Sequence, residues 1–126
     1  MSNGVMETGL TIRREVLGEE VVDNVMKNAD DFTRPMQELV NEYCWGKIWS
    51  RPGLPRKTRS LLNLAMLTVL NRPQELKGHV NGALNNGATM EEIREVLLQT
   101  AIYCGVPAAQ DSLRVAQAVL KERGIY

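Results

Sequence analysis

His79 is the chain's single histidine, so any step that needs an imidazole must use it or borrow one from another copy. An imidazole changes charge near neutral pH, which suits it to handing over a proton. Glu75 stands one helical turn earlier, where a carboxylate could orient the ring or favour its protonated form. Gly78 and Gly82 lie on either side and strip side chains from the surroundings. Glycine weakens a helix, so two in a short one suggest a close approach, either by a ligand or by a packed helix. The plainer alternative is a core histidine bonded to a carbonyl. A metal site with two or more His ligands from one chain is excluded.

The arginines are the next candidates. Arg51 sits in a turn after Trp49, and Arg56 and Arg59 open an apolar segment. A guanidinium fork matches a carboxylate in two parallel hydrogen bonds, and the free N–H groups of a helix N-terminus add anion affinity. Solvated surface pairing would use the same residues. Trp45 and Trp49 are spaced i, i+4 and share a helix face. They fit core packing, an oligomer contact or a hydrophobic wall over a ligand. Cys44 and Cys104 lie far apart in sequence and read as small apolar side chains rather than a redox pair. No phosphate loop, GxSxG or HExxH motif occurs.

The elements that must position these residues read as helices. The chain has 126 residues, the length of one domain, expected to span 1–126. Fifteen basic and fifteen acidic residues cancel, which argues against a nucleic-acid partner. No apolar run approaches the length of a membrane span, and Met1 to Leu10 lacks the basic start and apolar stretch of a signal peptide, so a cytoplasmic protein is expected. Helices are expected over Gly9–Leu17, Glu19–Ala29, Phe32–Trp49, Pro55–Leu70 and Pro73–Asn85. A sixth follows the capping box Thr89-Met90-Glu91-Glu92 and stops at Gly105-Val106-Pro107, and a last runs Ala108–Glu122. Asp30 and Asp31 look like a cap, and Met36, Leu39, Val40, Tyr43, Ile48 and Trp49 supply a mostly helical apolar stripe on the third helix. The segment from Pro55 to Leu70 is apolar nearly all round, as in a helix that is central or lies between subunits. The class is all-α, a compact bundle of six to seven helices.

An ordered set of blocks resembles the carboxymuconolactone decarboxylase family. It comprises Tyr43-Cys44-Trp45-Gly46-Lys47-Ile48-Trp49-Ser50-Arg51-Pro52-Gly53-Leu54, Thr58-Arg59-Ser60-Leu61, Glu75-Leu76 with His79, and Ala83-Leu84-Asn85-Asn86-Gly87. Glu91-Glu92-Ile93, Glu95-Val96-Leu97-Leu98-Gln99, and Tyr103 with Gly105, Pro107, Ala108 and Ala109 complete it. The wider superfamily includes alkylhydroperoxidase-like proteins carrying Cys-x-x-Cys-x-x-x-His. Laid on His79, those cysteine positions fall on Arg72 and Glu75, and the family's upstream glutamate falls at or near Ser60, so the redox apparatus is missing.

The resemblance implies an AhpD-like helical subunit in a homo-oligomer, a hexamer, acting in aromatic catabolism on 4-carboxymuconolactone. Neither metal nor cofactor is expected, nor any partner beyond the lactone dicarboxylate and further copies of the chain. Loss of CO2 from the γ-carbon of this butenolide leaves a carbanion that the ring carbonyl delocalises, so the substrate holds its own electron sink. The implied catalytic residues are His79, as donor of a proton to the α-carbon, and Glu75. Arg51, Arg59, Trp45, Trp49, Glu42 and Tyr103 form the implied substrate-binding set, and arginines of one copy could serve the His79 of another. Other readings are a related lactone decarboxylase or isomerase, a thiol peroxidase using Cys44 or Cys104, and a non-catalytic helical oligomer that binds a ligand.

Overall fold

A computed structural model describes residues 2–126, and their side chains from Gly4 onward. The described residues form seven α-helices and one π-helical segment, with no strand, which is the all-α class read from the sequence. The chain gathers into two compact units, one ending at Pro55 and the other covering Arg56–Tyr126.

In the first unit, helix α1 spans Ser2–Leu17, α2 Glu19–Asn28 and α3 Arg34–Leu39, and a π-helix follows over Val40–Ile48. Helix α1 begins well before Gly9, the expected start. Gly9 is instead the point where α1 crosses the π-helix: a Cβ there would run into the Asn41 carbonyl oxygen, and a Cβ on Gly46 would lie 2.6 Å from the Val5 carbonyl oxygen. Glycine at both positions lets the two backbones touch. Ile12 and Val16 then pack on Trp45 and Trp49 to form the unit's core. Asp30 makes a local turn, its Oδ1 accepting from the backbone N–H groups of Phe32 and Thr33, both at 3.0 Å. Those bonds hold its carboxyl below the usual range, that to Thr33 contributing most.

The expected single helix from Phe32 to Trp49 is corrected. Phe32 lies in a turn, and from Val40 the hydrogen bonding shifts to the i→i+5 pattern, continued by Trp49 N–H donating to the Cys44 carbonyl at 3.1 Å. The wider turn rotates the side chains off a 3.6-residue period. Of the apolar stripe, Tyr43 and Ile48 on the π-helix are about half exposed, as are Met36 and Leu39 on α3 before it, whereas Asn41, Trp45, Gly46 and Trp49 are buried.

The second unit holds α4 (Arg56–Val69), α5 (Pro73–Asn85), α6 (Met90–Cys104) and α7 (Val106–Glu122). Leu64 of α4, Leu76 and Val80 of α5, Ile93 and Leu97 of α6 and Val119 of α7 make its core. The Thr68 hydroxyl lies 2.7 Å from the Leu64 carbonyl oxygen and 2.7 Å from the Ser112 hydroxyl, so a buried polar pair joins α4 to α7. Asn71, at φ 57, turns the chain between α4 and α5, a left-handed position that asparagine tolerates. Gly105, at φ 119, alone makes the break before α7. Pro107 is therefore not part of a stop: it sits in the first turn of α7, which begins at Val106 rather than Ala108, because a missing N–H costs nothing there.

The capping box forms as read. Glu92 N–H donates to Thr89 Oγ1 at 3.1 Å, and Thr89 N–H donates to Glu92 Oε1 at 2.9 Å. Thr89→Ala is expected to lower stability by about 1 kcal/mol, measured as a lower urea midpoint at unchanged slope. The Thr89 N–H and, next, Lys57 at 3.1 Å lower the pKa of Glu92. A depressed carboxylate supports the fold above its unfolded pKa, and that support is lost as pH falls through the folded value.

Helix α4 is not buried all round. Leu64 faces the core, while Leu62, Met66, Val69 and Leu70 form an exposed stripe. On α6, Ile102 and Tyr103 are 81% and 82% exposed. Among the described residues no helix is long and apolar enough to cross a membrane.

Candidate functional site

His79 lies on the α5 face that continues Leu76 and Val80, and it is half-buried. Its Nδ1 faces the side-chain amide of Asn63 on α4, with Asn63 Nδ2 at 3.4 Å. The packing of α4 on α5 thus gives the imidazole an amide partner from the neighbouring helix. Glu75, one turn earlier on α5, is exposed. A Cβ on Gly78 would meet nothing within 4 Å, so the space beside the imidazole's own turn is open. Gly82 is buried, as a packed helix contact requires.

Arg59 is half-buried on α4, one turn before Asn63. Ser60, fully buried, accepts from Asn86 Nδ2 at 2.9 Å, which pins the end of α5 to the start of α4. Tyr103 borders a cavity of about 320 Å³ between α4 and α6, lined also by Leu61, Leu62, Ala65, Gln99 and Cys104. Its lining does not include His79 or Glu75. A second cavity, of about 420 Å³, lies between α6, α7 and the C-terminal Tyr126, and its lining holds none of the candidate catalytic or substrate-binding residues.

In the first unit, Trp45 and Trp49 stack with ring centroids 4.7 Å apart and planes at 28°. At 3% and 5% exposure they are core residues. Glu42, on the same π-helix, is half-buried, and Arg51 is exposed in the turn that follows, its N–H donating to the Ile48 carbonyl at 3.1 Å. π-Helices are rare and recur at functional sites, where the extra residue per turn re-aims side chains. Here that segment and the turn after it carry Glu42, Trp45, Trp49 and Arg51.

Arg13 is buried, a residue that the sequence reading did not single out. Its Nη1 donates to Gln37 Oε1 at 3.0 Å and to Asn41 Oδ1 at 2.9 Å, and burial lowers its pKa from the ordinary value. Cys44 is exposed as a residue, and partial desolvation of its thiol raises its pKa against the opposing pull of the Arg13 charge. A raised thiol pKa lowers the thiolate fraction, which weakens Cys44 as a nucleophile.

Asn63 was also passed over in the sequence. The available signal was a lone amide inside the apolar run Leu61-Leu62-Asn63-Leu64-Ala65, where a polar residue needs a partner.

Comparison with known proteins sets these residues in context. The model of the carboxymuconolactone decarboxylase family matches residues 34–118. A 4-carboxymuconolactone decarboxylase of Acinetobacter baylyi is 43% identical over 117 residues, covering 93% of this chain and 87% of that protein. The nitrosuccinic acid decarboxylase npaB of Metarhizium robertsii is 45% identical over 118 residues, covering 94% of this chain and 82% of that protein. A family match over most of the α-helical core, together with two relatives aligned nearly end to end, leads to one assignment: the chain belongs to the carboxymuconolactone decarboxylase family.

Proposed function

We propose that the chain is a carboxy-lyase that converts 4-carboxymuconolactone to its enol-lactone without a cofactor, a step in aromatic catabolism. The observation that carries this reading is the 43% identity to a 4-carboxymuconolactone decarboxylase across 93% of the chain. In the reaction the bond from the γ-carbon to its carboxylate breaks, and CO2 leaves. The electron pair moves into the ring as a dienolate on the lactone oxygen, and the α-carbon then takes a proton. His79 supplies that proton as imidazolium, with Glu75 favouring the charged ring. Arg51 and Arg59 are assigned to binding the carboxylates, and Glu42 and Tyr103 to further substrate contacts, with arginines of one copy able to serve the His79 of another. The stacked Trp45 and Trp49 form a rigid apolar wall that fixes the turn bearing Arg51.

The exposed stripe of Leu62, Met66, Val69 and Leu70 supports assembly of identical subunits into a hexamer, since apolar surface of this kind marks an interface. Sedimentation of a stable monomer at micromolar concentration would contradict that assembly.

The test is turnover of 4-carboxymuconolactone generated in situ, with release of CO2 and formation of the enol-lactone followed together. The 45% identity to npaB favours a second substrate, nitrosuccinic acid. There the carbon between nitro and carboxyl groups can lose CO2 into a nitronate, the same logic with a different sink. Under the first reading kcat/KM is at least tenfold higher for the lactone, and the reverse ratio selects the nitro acid. Arg51→Gln and Arg59→Gln are each expected to raise KM by about tenfold, the loss of one charge-assisted carboxylate contact of about 1.5 kcal/mol, with the helical spectrum unchanged. An arginine whose replacement leaves the kinetics intact does not bind substrate.

A further inference from the structure

We propose that the cavity between α6 and α7 binds an amphipathic organic monoanion, an apolar aryl or alkyl body bearing one carboxylate. Its volume of about 420 Å³ is that of a small-molecule site. It lies wholly within the unit Arg56–Tyr126. Ile93 of α6 and Ala116 and Leu120 of α7 form its buried floor, and Leu113 and Ile125 form its more exposed sides. The segment after α7 closes it and is held by local bonds. Gly124, at φ 71, turns the chain there. Its N–H donates to the Lys121 carbonyl at 3.0 Å, and Ile125 N–H donates to the Leu120 carbonyl at 3.0 Å. That pair of bonds is a glycine-dependent helix stop, and it brings Ile125 back toward Leu120. The Gln117 side-chain amide donates to the Tyr126 hydroxyl at 2.8 Å, and the Lys121 ammonium lies 5.2 Å from the centre of the Tyr126 ring. The walls are therefore in place before a ligand arrives, and a preformed site loses little freedom on binding.

Charge selects the ligand. Two guanidiniums, Arg94 of α6 and Arg114 of α7, stand on the lining, which holds no acidic side chain. Arg114 is already matched: its Nη1 donates to Asp111 Oδ1 at 2.8 Å, one turn back on α7. Arg94 makes no hydrogen bond or ion pair among the described residues. The lining thus carries one uncompensated positive charge beside an apolar floor. A carboxylate takes the Arg94 fork in two parallel hydrogen bonds, while its apolar body displaces water from Ile93, Leu113 and Leu120. A neutral molecule would leave Arg94 unmatched, and a dianion would bring a second charge with no cation left for it. None of His79, Glu75, Arg51 and Arg59 lines the cavity, so binding here does not depend on the reaction assigned above.

Isoleucine methyl groups read the site in the whole chain. Ile93 and Ile125 line the cavity, whereas Ile12, Ile48 and Ile102 do not, and Ile48 accepts from the Arg51 backbone N–H. Methyl NMR of 13C-isoleucine-labelled protein is followed as 4-phenylbutanoate, its uncharged amide 4-phenylbutanamide, or decanoate is added. Both acids should shift the Ile93 and Ile125 methyls saturably and leave Ile12 and Ile102 unmoved. The amide should bind about tenfold more weakly than its acid, and Arg94→Gln should weaken both acids by about tenfold while sparing the amide. The tighter of the two acids identifies the body as aryl or alkyl. Arg94 is exposed, so its replacement should leave the helical spectrum unchanged. Equal affinity for acid and amide, affinity untouched by Arg94→Gln, or no saturable shift at millimolar acid would overturn the proposal. Shifts confined to Ile48 would overturn it too, by placing the acids at Arg51. So would cavity methyls that ignore every probe and move only on dilution, since the occupant would then be a second copy of the chain.

Discussion

Replacing His79 with alanine is expected to lower kcat on 4-carboxymuconolactone by about 10²-fold or more while leaving the helical spectrum intact. The size of the effect follows from the chemistry. Once CO2 has left, the dienolate must be protonated at carbon, a slow transfer without a positioned acid, and the chain holds no second imidazole to take over. The fold should survive because Leu76, Val80 and Ala83, not His79, fill the buried face of α5. Steady-state turnover measured beside circular dichroism checks both halves. A folded His79→Ala protein with near-normal kcat would strip His79 of the role of proton donor.

Gly9→Ala is expected to cost about 3 kcal/mol, at the upper end of what overpacking does. The added methyl would meet the backbone of Asn41 and, at 2.7 Å, the amide nitrogen of Gly46, and a backbone cannot swing aside as a side chain can. Gly78→Ala is the matched contrast. Its Cβ would meet nothing within 4 Å, so the ordinary gain from replacing a helix-interior glycine, about 0.5–1 kcal/mol, should appear in full. Urea midpoints of the two variants should therefore move in opposite directions. Equal midpoints for Gly9→Ala and the native chain would show that α1 does not cross the π-helix at Gly9.

The helices most legible in the sequence were those fixed by local chemistry. Helix α5 runs from Pro73 to Asn85 as expected, because a proline suits a first helical turn and Asn86-Gly87 suits its end. The Thr89–Glu92 box marked the start of α6 for the same reason. Where long-range packing decides, local signals misled. Gly9 resembles a helix start until α1 is seen to need it against Asn41. The π-helix is illegible to a 3.6-residue period, under which the stretch from Phe32 to Trp49 reads as one α-helix although Tyr43 and Ile48 are about half exposed. Pro107 was read as a stop because a proline after a helix and a proline opening the next one look alike when Gly105 stands between. At the candidate site, His79 was conspicuous by being single, whereas Asn63 gains its meaning from the packing of α4 on α5.

The placement of the two tryptophans has a spectroscopic consequence. Trp45 and Trp49 are the only indoles in the chain, both buried and stacked within the unit that ends at Pro55, while the sole imidazole belongs to Arg56–Tyr126. Indole emission therefore reports the melting of one unit, and the ring protons of His79 report the other. The protein carries two built-in, non-overlapping reporters, so the order in which its halves unravel can be followed without a single label.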